Sequence, residues 1–226
     1  MKRLLLPLVL TGCATTGPHA ISDKVVGLER LTEMENILIN ANGLSAKFEL
    51  ESKGENTSKM SGTLRFYEGN AVHVTAEGNF KGEQVQVLLD SRDPAGISRT
   101  LTKGASANSN RDPPASKLRE TLALGVSRMG LLHDLVVLTR DRPIEKADGG
   151  FAQWVKPLAP TDGFSDTVEG VPCRRVEFHI EVDGRDVGEA SVCIADATGL
   201  PVHRRQTVHF PQGDMTVVES FKWELK

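Results

Sequence analysis

The sequence predicts an α+β protein in which helices pack against the apolar face of antiparallel strands. Two observations predict this class. Apolar residues recur at three- and four-residue spacing over residues 20–41 and 115–139, which is the period of a helix. Over residues 46–102 and 172–225 they alternate with polar residues, which is the period of a strand with one buried face. The predicted order is therefore helix, meander, helix, meander.

The first half of the chain contains one helix and five strands in the prediction. The helix covers residues 20–41, and Gly43 suits its end. Its apolar residues are Ile21, Val25, Leu28, Leu31, Ile37 and Leu38. The strands follow with short polar turns between them, near residues 46–50, 60–66, 72–76, 85–89 and 96–102. Short turns between consecutive strands indicate an antiparallel meander.

The second half begins with a predicted flexible loop over residues 103–116, which is rich in Gly, Ser, Asn and Pro. The helix over 115–139 is weakened by Gly125 and Gly130, so we expect a break near Gly130. A strand is predicted over 151–155 and a loop over 157–170. The second meander consists of strands over residues 172–182, 188–195, 202–210 and 215–225.

The first thirteen residues have the pattern of an export signal that ends in a cysteine. Lys2 and Arg3 precede a short apolar run, which is too short to span a bilayer. The sequence Leu10-Thr11-Gly12-Cys13 resembles the lipobox of bacterial lipoproteins. This resemblance implies that residues 1–12 are removed and that Cys13 is acylated with diacylglycerol and a fatty acid such as palmitate. An ordinary signal peptide with a chance cysteine is the alternative.

The predicted organisation is a signal peptide over 1–12, a tether over 13–19 and one domain over 20–226. Acylation at Cys13 would hold this domain on a membrane, and Ala14 in place of Asp favours the outer membrane by resemblance to the sorting rule of Gram-negative bacteria. Loss of Lys2 and Arg3 with the leader changes the formal net charge from −3 to −5. No strongly basic patch stands out, so nucleic acid is not an expected partner, and we expect a monomer.

The alternation of even, apolar positions with odd, polar positions in two neighbouring strands predicts a disulfide between Cys173 and Cys193. Their two strands form a hairpin around residues 183–185, and apolar residues must face apolar residues across it. Odd positions then pair with odd positions, which places both cysteines on the polar face. They lie directly opposite if the turn is centred on residue 183 and diagonally if it is centred on 184. Directly opposite residues have Cβ atoms about 4.5–5.5 Å apart, close to the roughly 3.5–4.5 Å of a disulfide, and an exported protein meets oxidising conditions. Two reduced cysteines on an outer face are the alternative.

Catalytic and metal-binding patterns are missing from the sequence, so we expect a protein that is neither an enzyme nor dependent on a cofactor. Residues 125–130 have the wrong spacing for a nucleophile elbow. His203 and His209 lie on one strand face about 20 Å apart, too far to share a metal ion. The basic groups 174–175 and 203–205 are interpreted as a solvated strand face, with contact to anionic head groups as the alternative.

Two short stretches carry a family resemblance. Residues 170–178, which read Gly-Val-Pro-Cys-Arg-Arg-Val-Glu-Phe, are followed at 193–202 by Cys-Ile-Ala-Asp-Ala-Thr-Gly-Leu-Pro-Val. With the helix–meander order, they resemble the LolA/LolB-like superfamily of bacterial lipoprotein carriers, which includes LppX- and LprG-like lipoproteins. The resemblance implies a strongly curved antiparallel sheet, an incomplete β-barrel, with helices over its concave face.

The resemblance also implies an apolar cavity between sheet and helices that accepts a lipid or the acyl chains of a lipoprotein. We expect the strand residues of the apolar face to line it. These are Phe48, Leu50, Leu64, Phe66, Val72, Val74, Val87, Phe178, Ile180, Val192 and Phe221. The predicted function is lipid binding or transport by a membrane-anchored lipoprotein. A filled interior would favour the alternative, a ligand-free structural or interaction lipoprotein of the same fold.

Overall fold

The computed structural model describes residues 18–54, 57–140, 142–144 and 146–224, with side chains from residue 23 onward. The predicted leader 1–12, the lipidation site Cys13 and the tether up to residue 17 lie outside the described residues. In the described part of the chain, no helix is both long and apolar enough to cross a membrane.

Helices α1 to α4 and strands β1 to β11 follow the predicted helix–meander order. A π-helical turn, Gly125–Met129, separates α2 from α3. The helices are α1 (Pro18–Asn40), α2 (Leu118–Leu124), α3 (Leu131–Leu138) and α4 (Phe151–Trp154). The strands are β1 (Leu44–Gly54), β2 (Ser58–Phe66), β3 (Val72–Phe80), β4 (Glu83–Asp90), β5 (Ile97–Lys103), β6 (Ser106–Asp112), β7 (Val155–Val168), β8 (Val171–Val182), β9 (Arg185–Ala195), β10 (Pro201–Phe210) and β11 (Gly213–Glu224).

All eleven strands form one antiparallel sheet in the order β6-β5-β4-β3-β2-β1-β11-β10-β9-β8-β7. The two meanders join at the centre, where β1 pairs with β11 and Phe48 lies opposite Phe221. The sheet does not close, because β6 and β7 are its two edges. The predicted fold class, an α+β protein built on an incomplete antiparallel barrel, is confirmed.

The helices lie on the apolar face of the sheet, as the alternation of the strands requires. On that face Leu64, Phe66 and Val74 are at most 2 % exposed. Helix α1 lies along the edge strand β7, and Gly27 permits a close approach, because a Cβ there would lie 2.6 Å from the backbone nitrogen of Asp162. The structure thus protects the β7 edge with a helix.

Three predictions about local structure are wrong. Residues 106–112, predicted as part of a loop, form β6, whose polar residues are mostly exposed because this strand is a sheet edge. Residues 151–154 form the short helix α4 instead of a strand. Residues 157–168, predicted as a loop, belong to β7. Two register shifts against β8 and the edge position of Pro157 and Pro160 explain the absence of regular alternation there.

The predicted break near Gly130 is confirmed. Gly130 has a φ of +87°, a conformation that favours glycine, and α3 begins at the next residue. We call residues 118–138, which comprise α2, the π-helical turn and α3, the helical cover. Its interruption after seven residues and again at Gly130 divides the cover into short segments, so its position depends on contacts with the sheet.

Candidate functional site

The eleven residues predicted to line a cavity do share one face of the sheet, beneath the helices. Each is at most 3 % exposed, and all belong to one cluster of contacting apolar side chains that also includes the cover residues Leu122, Val126 and Leu135. Their arrangement is that of a packed core. Open clefts of about 870 and 830 Å³ lie on the opposite, polar face, among outward side chains such as Glu49, Ser61 and Glu77.

A polar cluster interrupts this core where β10 and β11 meet the helical cover. Arg204 of β10 is 1 % exposed and donates hydrogen bonds to the cover carbonyls of Ser127, at 3.3 Å, and Arg128, at 2.9 Å. It also donates to Oε1 of Gln206 at 2.7 Å. Burial lowers the pKa of Arg204, and the negative charge of Glu219 opposes that shift. The guanidinium therefore fastens the π-helical turn to the sheet.

Glu219 of β11 is the cap of helix α3. Its Oε1 accepts a hydrogen bond from the backbone nitrogen of Leu132 at 2.9 Å, and the carboxylate is wholly buried. The first backbone N–H groups of a helix have no partner within it, and a negative charge there is favourable. Burial raises the pKa of Glu219, while Arg204 and the helix N–H groups act in the opposite direction.

Asp134, in the first turn of α3, is enclosed in the same cluster. Its Oδ1 lies 3.5 Å from Nδ1 of His133, and its Oδ2 has no hydrogen-bond partner among the described residues. Gly125 makes room for the carboxyl group, because a Cβ at that position would lie 2.0 Å from Oδ1. Burial raises the pKa of Asp134 to about 6, and His133 partly opposes the shift.

A second, partly buried ion pair connects the cover to α1. Glu35 accepts hydrogen bonds from Nε of Arg128 at 2.7 Å, from its Nη2 at 2.8 Å and from the hydroxyl of Ser127 at 2.9 Å. Nη1 of Arg128 donates to the carbonyls of Ala152 and Val155. Bidentate pairs of this kind fix geometry as well as charge. The π-helical turn is thus held from both sides, by β10 and by α1.

Two further buried arginines hold the ends of helices. Arg119 donates to the carbonyl of Leu38, near the end of α1, at 3.2 and 3.0 Å, and burial lowers its pKa. Arg99 of β5 donates to the carbonyl of Leu138, the last residue of α3, at 3.2 Å, and pairs with Asp112. Arginine is well suited to the unpaired carbonyls of a helix C-terminus. The cover is therefore tied to its surroundings at both ends.

The sequence-based interpretation missed this cluster. It treated residues 203–205 as a solvated strand face, which is wrong for Arg204, because the side chain of that residue points into the core. The missed signal lies in the alternation of β10 and β11. Arg204 and Gln206 occupy inward positions of β10, and Glu219 lies between the buried residues Val217 and Phe221. A charged residue at an inward position requires a buried partner.

The predicted disulfide between Cys173 and Cys193 is present, with a Cα–Cα distance of 5.6 Å. The register is the diagonal one, since Cys193 faces Arg175 and Cys173 faces Ala195. Both cysteines are fully buried, although the sequence placed them on a polar face. In the part of the chain that the structure describes, no group of three or more His, Cys, Asp or Glu residues could hold a metal ion.

Comparisons with known proteins give structural similarity without sequence similarity. No family model matches the chain, and no curated protein matches it. The lipoprotein LppX of Mycobacterium tuberculosis aligns with 14 % identity and a TM-score of 0.41, over 90 % of this chain and 98 % of LppX. A LolA superfamily protein of Nitrosomonas europaea aligns with 7 % identity and a TM-score of 0.30, over 88 % of this chain and 93 % of that protein.

The complex of MucA and MucB from Pseudomonas aeruginosa contains a further similar chain, with 14 % identity and a TM-score of 0.34. That alignment covers 89 % of this chain and 56 % of the other. One of these solved structures is of a protein from the superfamily that the sequence resembles. With every identity at or below 14 % and every TM-score below 0.5, the likeness is one of fold alone.

Proposed function

We propose that this chain is a non-enzymatic envelope lipoprotein that binds acyl chains on the apolar face of its sheet, beneath the helical cover. The observation that supports it is the combination of a broad apolar face, interrupted by the cluster around Arg204, with a cover made of short segments. The face extends from β5 to β8, and the cover is interrupted by the π-helical turn and Gly130. Each methylene that moves from water to such a surface contributes about 0.8 kcal/mol.

Because the apolar face is packed in this structure, an acyl chain must displace the cover or part of it. The polar contacts of Arg204, Glu219 and Arg128 are the ones that such a movement would break. The ligand would then replace side chains of the cover, such as Leu122 and Val126, on the floor of the sheet. The proposed mechanism is burial of acyl chains with the helical cover acting as a lid.

The membrane anchor in this proposal is Cys13, acylated after removal of residues 1–12. Helix α1 begins at Pro18, so at most about 18 Å of extended chain separates its start from the modified cysteine. An anchor of this length would hold the lipid-binding domain close to the outer membrane, the proposed location. The lipids of that membrane, or acylated proteins in it, are the proposed partners.

The filled interior favours a second candidate, a ligand-free lipoprotein that takes part in an envelope complex. No ligand is needed to complete a core in which the predicted lining residues are at most 3 % exposed. The open clefts on the polar face would then be the contact surface for a protein partner. The two candidate functions differ in whether the helical cover ever moves away from the apolar face of the sheet.

Native mass spectrometry of residues 14–226, exported by a separate leader and purified without detergent, tests the choice. Acyl binding predicts adducts of lipid mass, weakened in Val87→Thr, which adds a hydroxyl to the inward face. Val218→Thr makes the same change beside the outward cleft and should retain the adducts. If no lipid is bound after expression in several lipid backgrounds, and none is taken up from added vesicles, the ligand-free candidate is supported.

A further inference from the structure

Asp134 lies at the contact between the cover and the sheet, where charged groups of α3, β10 and β11 act on it. His133 belongs to its own helix, Arg204 to β10 and Glu219 to β11, while the neighbouring residue of the π-helical turn is the uncharged Gly125. Asp134 is 4 % exposed as a residue, and its Oδ2 lacks a hydrogen-bond partner. Such an enclosed oxygen disfavours a negative charge.

The cluster contains two arginines and two glutamates besides Asp134, so its charges cancel when Asp134 is protonated. Arg128 pairs with Glu35, and Arg204 lies 3.9 Å from Glu219. An ionised Asp134 would be a third buried carboxylate beside two guanidinium groups, and it would repel Glu219, whose Oε2 also lacks a hydrogen-bond partner. His133 offsets this repulsion when its imidazole is protonated, since its Nδ1 lies 3.5 Å from Asp134.

We propose that Asp134 is a proton-dependent latch of the helical cover: α3 stays packed on β10 and β11 while this carboxyl group is protonated, and it loosens when the group is ionised. The proposal adds regulation to the proposed function, because the same cover is the lid over the apolar face. The movement itself is a property of the free protein. It can therefore be measured without any lipid, and it stands or fails separately from lipid binding.

The direction of the pH dependence follows from the difference in the pKa of Asp134 between the closed and open states of the cover. The pKa of Asp134 is raised from 3.8 to about 6 in the closed state by burial. An exposed carboxyl group in an open state regains its ordinary pKa. The closed state is therefore fully favoured below about pH 4, and this advantage is lost as the pH rises to about 6. Above that pH, the ionised Asp134 makes opening about ten- to a hundred-fold more frequent than in acid.

Glu219 makes opening of the cover depend on pH in the same direction, because burial also raises the pKa of Glu219. The wild-type profile alone therefore does not isolate Asp134. Asp134→Asn keeps the shape of the side chain and removes its charge at every pH. Asp196→Asn makes the same change at an exposed position in the turn between β9 and β10, and it serves as the matched control.

Hydrogen exchange followed by mass spectrometry tests the latch, with rates corrected for the intrinsic effect of pH. We expect the protection of residues 125–138 in the wild type to fall between pH 4 and pH 6 while that of β1–β3 stays constant. At pH 7.5 Asp134→Asn should protect the cover by ten- to a hundred-fold more than wild type, and at pH 4 the two should agree. Asp196→Asn should follow wild type throughout.

Equal protection of the cover in wild type and Asp134→Asn at pH 7.5 would overturn the proposal. So would a loss of protection spread evenly over the sheet, since that would be global acid or base sensitivity. Near-ultraviolet circular dichroism shows whether the variant is folded. If it is not, the wild type alone can still overturn the proposal, because a cover whose corrected protection does not change between pH 4 and pH 6 contains no proton-dependent latch.

Discussion

The guanidinium of Arg204 faces the carboxylate of Glu219 across β10 and β11, with Nη1 3.9 Å from Oε2, and both side chains are at most 1 % exposed. The two strands therefore present a buried ion pair to the helical cover. Arg204 bonds the carbonyls of the π-helical turn, and Glu219 bonds the N-terminus of α3. One pair thus holds two successive segments of the cover.

Removal of one partner of this pair should strongly destabilise the protein. Arg204→Met leaves a buried, uncompensated carboxylate and breaks the bonds to Ser127 and Arg128, so we expect a loss of roughly 3–5 kcal/mol in the free energy of unfolding. Urea unfolding measures it. Adding Glu219→Gln removes the orphaned charge but keeps an acceptor for Leu132, and the double variant should regain at least about 1 kcal/mol. A double variant that is less stable than Arg204→Met would contradict the pairing.

Gly130 should tolerate no side chain. A Cβ there would lie 2.5 Å from Nη1 of Arg204, at a φ of +87°. Gly130→Ala therefore combines backbone strain with displacement of the guanidinium, and Gly69→Ala, at a φ of +69° with open space around it, has strain alone. We expect about 1 kcal/mol of destabilisation at Gly69 and clearly more at Gly130. Thermal unfolding of the two variants compares them directly.

The apolar face should respond to truncation as a packed core. Leu64 is 1 % exposed on that face and Leu88 is 38 % exposed on the other. Leu64→Ala should lower the free energy of unfolding by roughly 2–5 kcal/mol, and Leu88→Ala by less than about 1 kcal/mol. Chemical denaturation of both variants is the measurement. Similar small losses at the two positions would indicate that the space between the apolar face and the helices is hollow in solution.

The Cys173–Cys193 disulfide should stabilise the protein without taking part in chemistry. It closes a loop with a sequence separation of 20, for which the chain-entropy model gives roughly 3 kcal/mol. The double variant Cys173→Ala/Cys193→Ala should unfold at lower urea concentration by that amount, with its fold intact. Thiol counting on the unreduced wild type from residue 14 onward should find no free thiol. Two free thiols would refute the bond.

Cys13 should be required for membrane attachment. Cys13→Ser removes the predicted acylation site, so the protein should move from the membrane fraction to the soluble fraction of the envelope. The variant Cys173→Ser/Cys193→Ser is the control, because it also removes thiols but should stay in the membrane fraction. Cell fractionation with immunodetection measures both. A Cys13→Ser protein that stays in the membrane fraction would show that another element attaches it.

Alternation predicted the buried face of the sheet well, because one face is covered and the other is open. Leu64, Val74 and Phe178 are buried as their positions indicate, and parity correctly restricted the register of β8 and β9. The edge strands were missed for the same reason. β6 is exposed on most of its length, so its sequence lacks an apolar face, and the bulges in β7 shift its alternation twice.

The sequence could not predict whether the apolar face is hollow or packed, because both states require the same inward residues. It also could not predict the cluster around Arg204. That cluster depends on the position of the π-helical turn and α3 over β10 and β11, which is set by contacts between residues more than 70 positions apart. The available signal was a charged residue, Arg204 or Glu219, at an inward position of an alternating strand.

The pairing of β1 with β11 has a consequence for the order in which the chain folds. Strand β1 pairs with β2 as soon as both have formed, but its other edge has no partner until residues 213–224 have emerged. Until then, a sheet of the first six strands would have an unpaired edge at β1, which is the kind of surface that aggregates. Truncation of β11 would expose this central seam, so the product would be an aggregation-prone half-sheet and not a smaller stable protein.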